Sequence, residues 1–130
     1  MRDVSDISIA EPLGPGGILR GRLDRNAART TLAVAGELDM STAPALADRL
    51  DELAASCEGG LVLDCADLEF MDSAGLRMLV LRRGELLRAG QELAIRGLAG
   101  PPMRVVEITG AQEALGLGPP PRTTEEAGAA

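Results

Sequence analysis

Hydrophobic and polar positions change period several times along this chain, and each period implies an element. Ile18, Arg20 and Arg22 alternate imperfectly with Leu19, Gly21 and Leu23, and Thr30 to Leu38 keeps the two-residue period with Leu32, Val34 and Gly36 on one face. Such alternation predicts two half-buried strands, with a hairpin around Asp24-Arg25-Asn26. The period then becomes helical. Ala43, Leu46, Ala47, Leu50, Leu53 and Ala54 recur at helix spacing opposite Asp48, Arg49, Asp51 and Glu52. Ser41 or Thr42 is the expected N-cap, and Pro44 sits in the first turn, where its missing N–H does no harm.

Gly59-Gly60 closes that connection, and Leu61-Val62-Leu63 reads as a strand buried on both faces, with Leu68 and Phe70 carrying the core on to a turn. A second helix runs from Ser73 to about Arg88, with Leu76, Leu79, Val80, Leu86 and Leu87 on one side and Ala89-Gly90 as its stop. Leu93 to Ile95 is the next strand. Pro101-Pro102 opens a third helix through Val105, Val106 and Ile108, which Gly110 breaks before Ala114-Leu115. Helical crossovers return successive strands in the same direction. The order therefore predicts an α/β fold with a mostly parallel sheet and an antiparallel edge hairpin.

Length makes this one domain: 130 residues hide enough apolar surface for an ordinary core. Residues 1–17, ending Gly14-Pro15-Gly16-Gly17, read as a flexible N-terminal extension, 18–118 as the domain, and 119–130 as a disordered tail. The start has acids where a signal peptide is basic, and apolar runs such as Met78 to Leu81 fall far short of the ~20 residues that cross a bilayer. A cytoplasmic protein with no membrane contact is expected. Cys57 and Cys65 sit at no metal-ligand spacing and read as reduced thiols.

Composition removes much chemistry. There is no histidine and no lysine, hence no imidazole base, Walker lysine or Schiff base. Phe70 is the sole aromatic and the net charge is −7, which opposes nucleic-acid binding. Gly14-Pro15-Gly16-Gly17 matches neither a dinucleotide fingerprint nor a P-loop, and Met71-Asp72-Ser73-Ala74-Gly75 lacks the first glycine of a nucleophile elbow. Asp39, Asp64, Asp67 and Asp72 could gather at the carboxyl ends of their strands, but acids there more often cap helices and form turns, so neither metal nor cofactor is expected. The most informative segment is Asp67 to Leu76, a strand exit entering a helix through small residues. Asp72 or Ser73 caps that helix, and an exposed Ser73 hydroxyl in its first turn is also a place where a phosphate is tolerated. On the outer side of this helix Met78 and Leu81 lie off the core stripe, flanked by Arg77 and Arg82, which suits a partner surface.

Gly36-Glu37-Leu38-Asp39, the helix beginning Ser41-Thr42-Ala43, and Phe70-Met71-Asp72-Ser73-Ala74-Gly75-Leu76 together resemble the bacterial STAS-domain anti-sigma factor antagonists over about residues 18 to 117. The resemblance implies a sheet of about four strands with three or four helices packed on it. It implies that Ser73 is phosphorylated by the partner, an anti-sigma factor that is also a serine kinase. The unmodified protein would bind that partner and free the sigma factor, and a metal-dependent serine phosphatase would reset the modified form. Asp72, Ser73, Ala74, Gly75, Arg77, Met78 and Leu81 are the expected partner contacts, with Asp39 and Asp64 in the pocket around the phosphosite. Ala74, where relatives often carry a hydroxyl, leaves Ser73 as the single one in its turn. The chain would be a substrate and binder, not an enzyme. The alternative is a STAS sensor or scaffold that binds a nucleotide or protein without a phosphoswitch.

Overall fold

The computed structural model describes residues 6–7, 10–26, 28–57 and 59–118. In chain order the strands and helices are β1 (Asp6–Ile7), β2 (Glu11–Pro12), β3 (Leu19–Arg25), β4 (Arg29–Leu38), α1 (Ala43–Ser56), β5 (Gly60–Met71), α2 (Ser73–Arg88), β6 (Leu93–Arg96) and α3 (Gly100–Thr109). Short 3-10 turns occupy Pro15–Gly17 and Glu113–Leu115. The sheet order is β1-β3-β4-β5-β6, with β2 also on the outer edge of β3. β3 and β4 are antiparallel, and β4, β5 and β6 run parallel, as the helical connections require. The α/β class, the mixed sheet and the antiparallel edge are those the periodicity predicts.

Alternation decides which face is buried. Leu19 and Leu23 of β3, Leu32, Val34 and Leu38 of β4, and Leu61, Leu63 and Cys65 of β5 form one core with Leu46, Leu50 and Leu53 of α1, Leu76 and Leu79 of α2, and Val106 of α3. The opposite face stays open: Arg20, Arg22, Ala33, Ala35 and Asp67 line a shallow groove there.

β5 is longer and less regular than Leu61-Val62-Leu63 suggests. Against β4 it carries one extra residue between Asp64 and Asp67, and another between Leu68 and Phe70. Leu61, Val62 and Leu63 are all buried, as expected of a strand covered on both faces; each bulge then breaks the period of two, so the core-facing positions fall at Leu61, Leu63, Cys65, then Leu68, then Met71. Phe70, expected in the core, is thereby turned out to 44% exposure, and Met71 takes the inward position. Gly36 sits opposite the second bulge at φ +106°, where a Cβ would run into the Ile18 carbonyl oxygen. Only glycine fits.

Three further expectations change. The hairpin closes at Asn26, whose Oδ1 accepts from the N–H groups of Ala28 (2.8 Å) and Arg29 (3.0 Å). Leu87 and Ile108, assigned to apolar helix faces, are exposed, while Leu86 and Val105 beside them pack against the core. The stretch before residue 18, expected to be loose, includes β1 and β2, paired with β3, and a buried Leu13 whose N–H donates to Leu19 O at 2.8 Å. The expected tail, 119–130, lies outside the described residues, as do 1–5.

Candidate functional site

β4 and β5 end side by side, with Leu38 opposite Met71, and each is followed at once by an aspartate and a helix. The carboxyl edge of a parallel pair leaves strand carbonyls and helix N–H groups without partners, so something local must satisfy them. Asp39 serves the first turn. Its Oδ1 accepts from Ser41 N at 2.8 Å, Thr42 N at 3.1 Å and the Ser41 hydroxyl at 2.7 Å. Thr42, at the N-cap position, makes no side-chain cap. Fully buried, it accepts from Asp39 N at 2.9 Å and donates to Glu37 O at 3.0 Å. The expected hydroxyl cap on α1 is absent because Thr42 is held by the strand end; the Asp39 carboxylate braces the turn before the helix, and the Asp39 carbonyl accepts from Ala43 N at 2.8 Å. Four donors hold the Asp39 carboxyl below its ordinary 3.8: the Ser41 hydroxyl most, then the Ser41 and Thr42 N–H groups and the Thr42 hydroxyl, with burial opposing.

Asp72 serves the second turn as the N-cap of α2. Its Oδ1 accepts from Gly75 N at 2.8 Å, while Oδ2 accepts from Met40 N at 3.2 Å and so ties the two turns together. Gly75 lets α2 start hard against the strand ends: a Cβ there would stand 2.7 Å from Leu38 Cγ and 2.8 Å from Leu38 O. Ser73, the first residue of α2, is exposed, and among the described residues its hydroxyl makes no hydrogen bond. The strand ends, the Asp72 cap and the Gly75 contact fix its backbone, and its hydroxyl stays free of any partner among the described residues.

Grooves lie on both sides of this helix head. Between α1 and α2, a groove of about 410 Å³ is lined by Met40, Ala43, Pro44 and Ala47 on one side and Ala74, Arg77, Met78 and Leu81 on the other. Arg82 and Glu85 close its far end, with Arg82 bound to Glu85 at 2.6 Å and to Asp51 at 3.4 Å. The second groove, toward the end of α3, is lined by Ser73, Leu76, Arg77, Val80 and Leu81 with Thr109 and Ala111. Small residues on the floor and large apolar ones on the walls are what a partner's apolar side chains need. Met40, 76% exposed at the tip of the β4–α1 turn, and Leu81, 52% exposed, are the largest apolar groups offered there.

Of the residues singled out in the sequence, Asp39, Asp72, Ser73, Ala74, Gly75, Arg77, Met78 and Leu81 gather around the α2 head. Asp64 does not. It lies seven residues before Met71, about 20 Å away at ~3.3 Å per residue, with its carboxylate accepting from Ala66 N at 3.0 Å at the first bulge. Asp67 lies on the open sheet face. The four aspartates therefore do not converge, and among the described residues no three His, Cys, Asp or Glu side chains group as metal ligands. Burial, helped by the Asp64 charge, pushes the Cys65 thiol up to about 12, so it stays protonated and packs as a small apolar group. The sequence reading passes over Met40 and gives Ala43, Pro44 and Ala47 helix and core roles only. An apolar residue between Asp39 and Ser41 in an otherwise polar turn is the one local sign of the first. No described helix is long and apolar enough to cross a membrane.

Comparison with known proteins fits this geometry. Residues 22–118 match the family described as "Mlab, STAS domain". The anti-sigma-B factor antagonist of Listeria monocytogenes is 32% identical over 94 residues, covering 71% of this chain and 81% of the relative, and that of Listeria innocua matches equally. The crystal structure of an anti-sigma factor antagonist from Mycobacterium paratuberculosis superposes with a TM-score of 0.62 at 26% identity, over 85% of this chain and 92% of that one. The anti-sigma factor antagonist SpoIIAA in its unphosphorylated form shares the fold, with a TM-score of 0.59 at 20% identity over 82% of this chain and 91% of that one. A family match spanning β3 to the last turn, and relatives alike in sequence and in fold, show that the chain belongs to the STAS-domain anti-sigma factor antagonist family.

Proposed function

We propose that this chain is a cytoplasmic anti-sigma factor antagonist switched by phosphorylation of Ser73. Unmodified, it docks the α2 head and its flanking grooves on an anti-sigma factor that is also a serine kinase, and the sigma factor is freed. One observation carries the reading: an exposed serine hydroxyl with no partner among the described residues stands on a rigid turn between two apolar grooves. A hydroxyl bound into the fold would have to be released before it could react.

The chain supplies the acceptor and the partner supplies the chemistry. In the transfer, a bond forms between Ser73 Oγ and the γ-phosphorus of ATP, the bond to the ADP oxygen breaks, and the hydroxyl proton passes to a base of the kinase. With neither histidine nor lysine, this chain acts as substrate and binder rather than catalyst. The product carries about −1.5 to −2 added charges beside Asp72, on a surface that must shed water to dock. Stripping water from an anion there, with no new cation from the partner to meet it, costs several kcal/mol, and each ~1.4 kcal/mol is tenfold in affinity. The free protein keeps its fold, because phosphate at a helix N-terminus is favoured by the free N–H groups and the dipole. A metal-dependent serine phosphatase would restore the hydroxyl.

The test uses the purified protein and the cognate anti-sigma factor. With ATP, mass spectrometry is expected to place phosphate on Ser73. Calorimetry is expected to show Ser73→Ala binding like wild type and Ser73→Asp at least about 100-fold weaker, from the arithmetic above. Leu81→Glu should also weaken binding with the fold intact. Phosphate found only elsewhere, or Ser73→Asp binding as tightly as wild type, overturns the switch and leaves the scaffold reading.

A further inference from the structure

Four arginines lie along α2, and they are not equivalent. Arg82 is paired with Asp51 and Glu85, while Arg83 donates to Leu93 O at 3.3 Å and Ala114 O at 3.2 Å. Arg77 is exposed and makes no ion pair or hydrogen bond among the described residues. It follows Ser73 by four positions. Residues so spaced are neighbours on a helix, with Cβ atoms about 5–6 Å apart, and the order anion first, cation second is the favourable one. Arg77 and Ser73 also line the same groove, whose other residues, Leu76, Val80, Leu81, Thr109 and Ala111, are uncharged. Asp72, beside Ser73, has both its oxygens engaged by Gly75 N and Met40 N, and Glu85, which shares the α1–α2 groove with Arg77, is paired with Arg82. Ser73 and Arg77 therefore form an unfilled pair: a cation with no anion, one turn from a hydroxyl that can become one.

We propose that Arg77 is the intramolecular counter-ion of phosphorylated Ser73, an inference that rests on Ser73 being the phosphosite. The planar guanidinium donates two parallel N–H groups to two phosphate oxygens side by side, which an ammonium cannot do. Arg77 also lines the α1–α2 groove, so folding back onto the phosphate withdraws it from that face. Esterification then alters the docking surface twice. It adds an anion at residue 73 and removes the free cation that a partner's carboxylate could meet.

The test needs no kinase. Phosphoserine is placed at position 73 of the full chain during translation, and its second ionisation is followed by phosphorus NMR across pH 4 to 8. The pairing favours the dianion. Arg77→Gln is expected to raise that ionisation midpoint by about 0.3 unit or more, a twofold change in the constant. Arg88→Gln removes the same charge from the exposed far end of α2 and should shift it by less than about 0.1 unit, since screening is strong at that distance. Arg77→Lys should fall between wild type and Arg77→Gln. An Arg77→Gln midpoint equal to that of Arg88→Gln overturns the pair, whatever the kinase does. A clear Arg77 effect without enzymatic phosphate on Ser73 would instead overturn the reading of the phosphosite. An unchanged amide spectrum in each variant secures the comparison.

Discussion

The chain makes the same move twice, at Asp39 and at Asp72, and makes it differently. Each aspartate follows the last residue of a parallel strand and accepts backbone N–H groups just after it, Asp39 in the turn before α1 and Asp72 as the N-cap of α2. At the first turn every hydroxyl is committed: Ser41 donates to Asp39, and Thr42 bridges Asp39 N and Glu37 O. At the second turn the cap is made by Asp72 alone, and Ser73 keeps its hydroxyl. The first turn is built to hold and the second to present. Met40 N to Asp72 Oδ2 joins them, so the presenting turn takes its rigidity from the holding one.

Breaking the contact that both turns share should have the largest effect. In Gly75→Ala the new Cβ would meet Leu38 O at 2.8 Å, and a strand carbonyl cannot swing aside as a side chain can. We expect a loss of about 3 kcal/mol, the upper end of overpacking costs, measured by urea unfolding. A loss below about 1 kcal/mol would show that α2 can slide off the strand ends.

The contrast between the hydroxyls sharpens next. Thr42→Val keeps the shape and removes the bridge, leaving Asp39 N and Glu37 O without their partner at a part-buried site beside the buried Thr42. The expected cost is about 2 kcal/mol. Ser73→Ala removes an exposed, unbonded hydroxyl and should stay within about 0.5 kcal/mol of wild type. Equal losses in the two variants would mean that Ser73 is structural and the comparison fails.

Much of this was legible in the sequence, and the remainder has physical causes. The strand and helix order follows from the periods, and the start of α2 at Ser73 follows from Asp72 before small residues. The hydrogen bonding of Thr42 did not follow: a threonine before a helix reads as a cap, yet here the strand end claims it. The outward turn of Phe70 was hidden because bulges leave no mark in the hydrophobic pattern beyond an irregular spacing. The α1 wall of the docking groove was hidden because Ala43, Pro44 and Ala47 meet Met78 and Leu81 only through the fold, more than thirty residues apart in sequence. Asp64 was drawn toward the site by its type and its strand, but β5 runs on well past it.

The smallest effect probes how the holding turn holds. Because the Asp39 carboxyl is more acidic in the folded chain than its ordinary 3.8, the unfolded chain takes up the proton first as pH falls. Its contribution is therefore fully present above that ordinary value, and it is lost as pH drops through the lowered one. The Ser41 hydroxyl is the largest cause of the lowering, ahead of the backbone N–H groups. Ser41→Ala should thus move the Asp39 midpoint back toward its ordinary value, followed by carbon NMR of the carboxyl, and flatten the acid limb of stability there. Ser73→Ala should leave that midpoint where it is, since its hydroxyl bonds to neither aspartate. If Ser41→Ala left the Asp39 titration unmoved, the N–H groups alone would be holding the carboxylate. The two turns would then differ only in the hydroxyl that Thr42 buries.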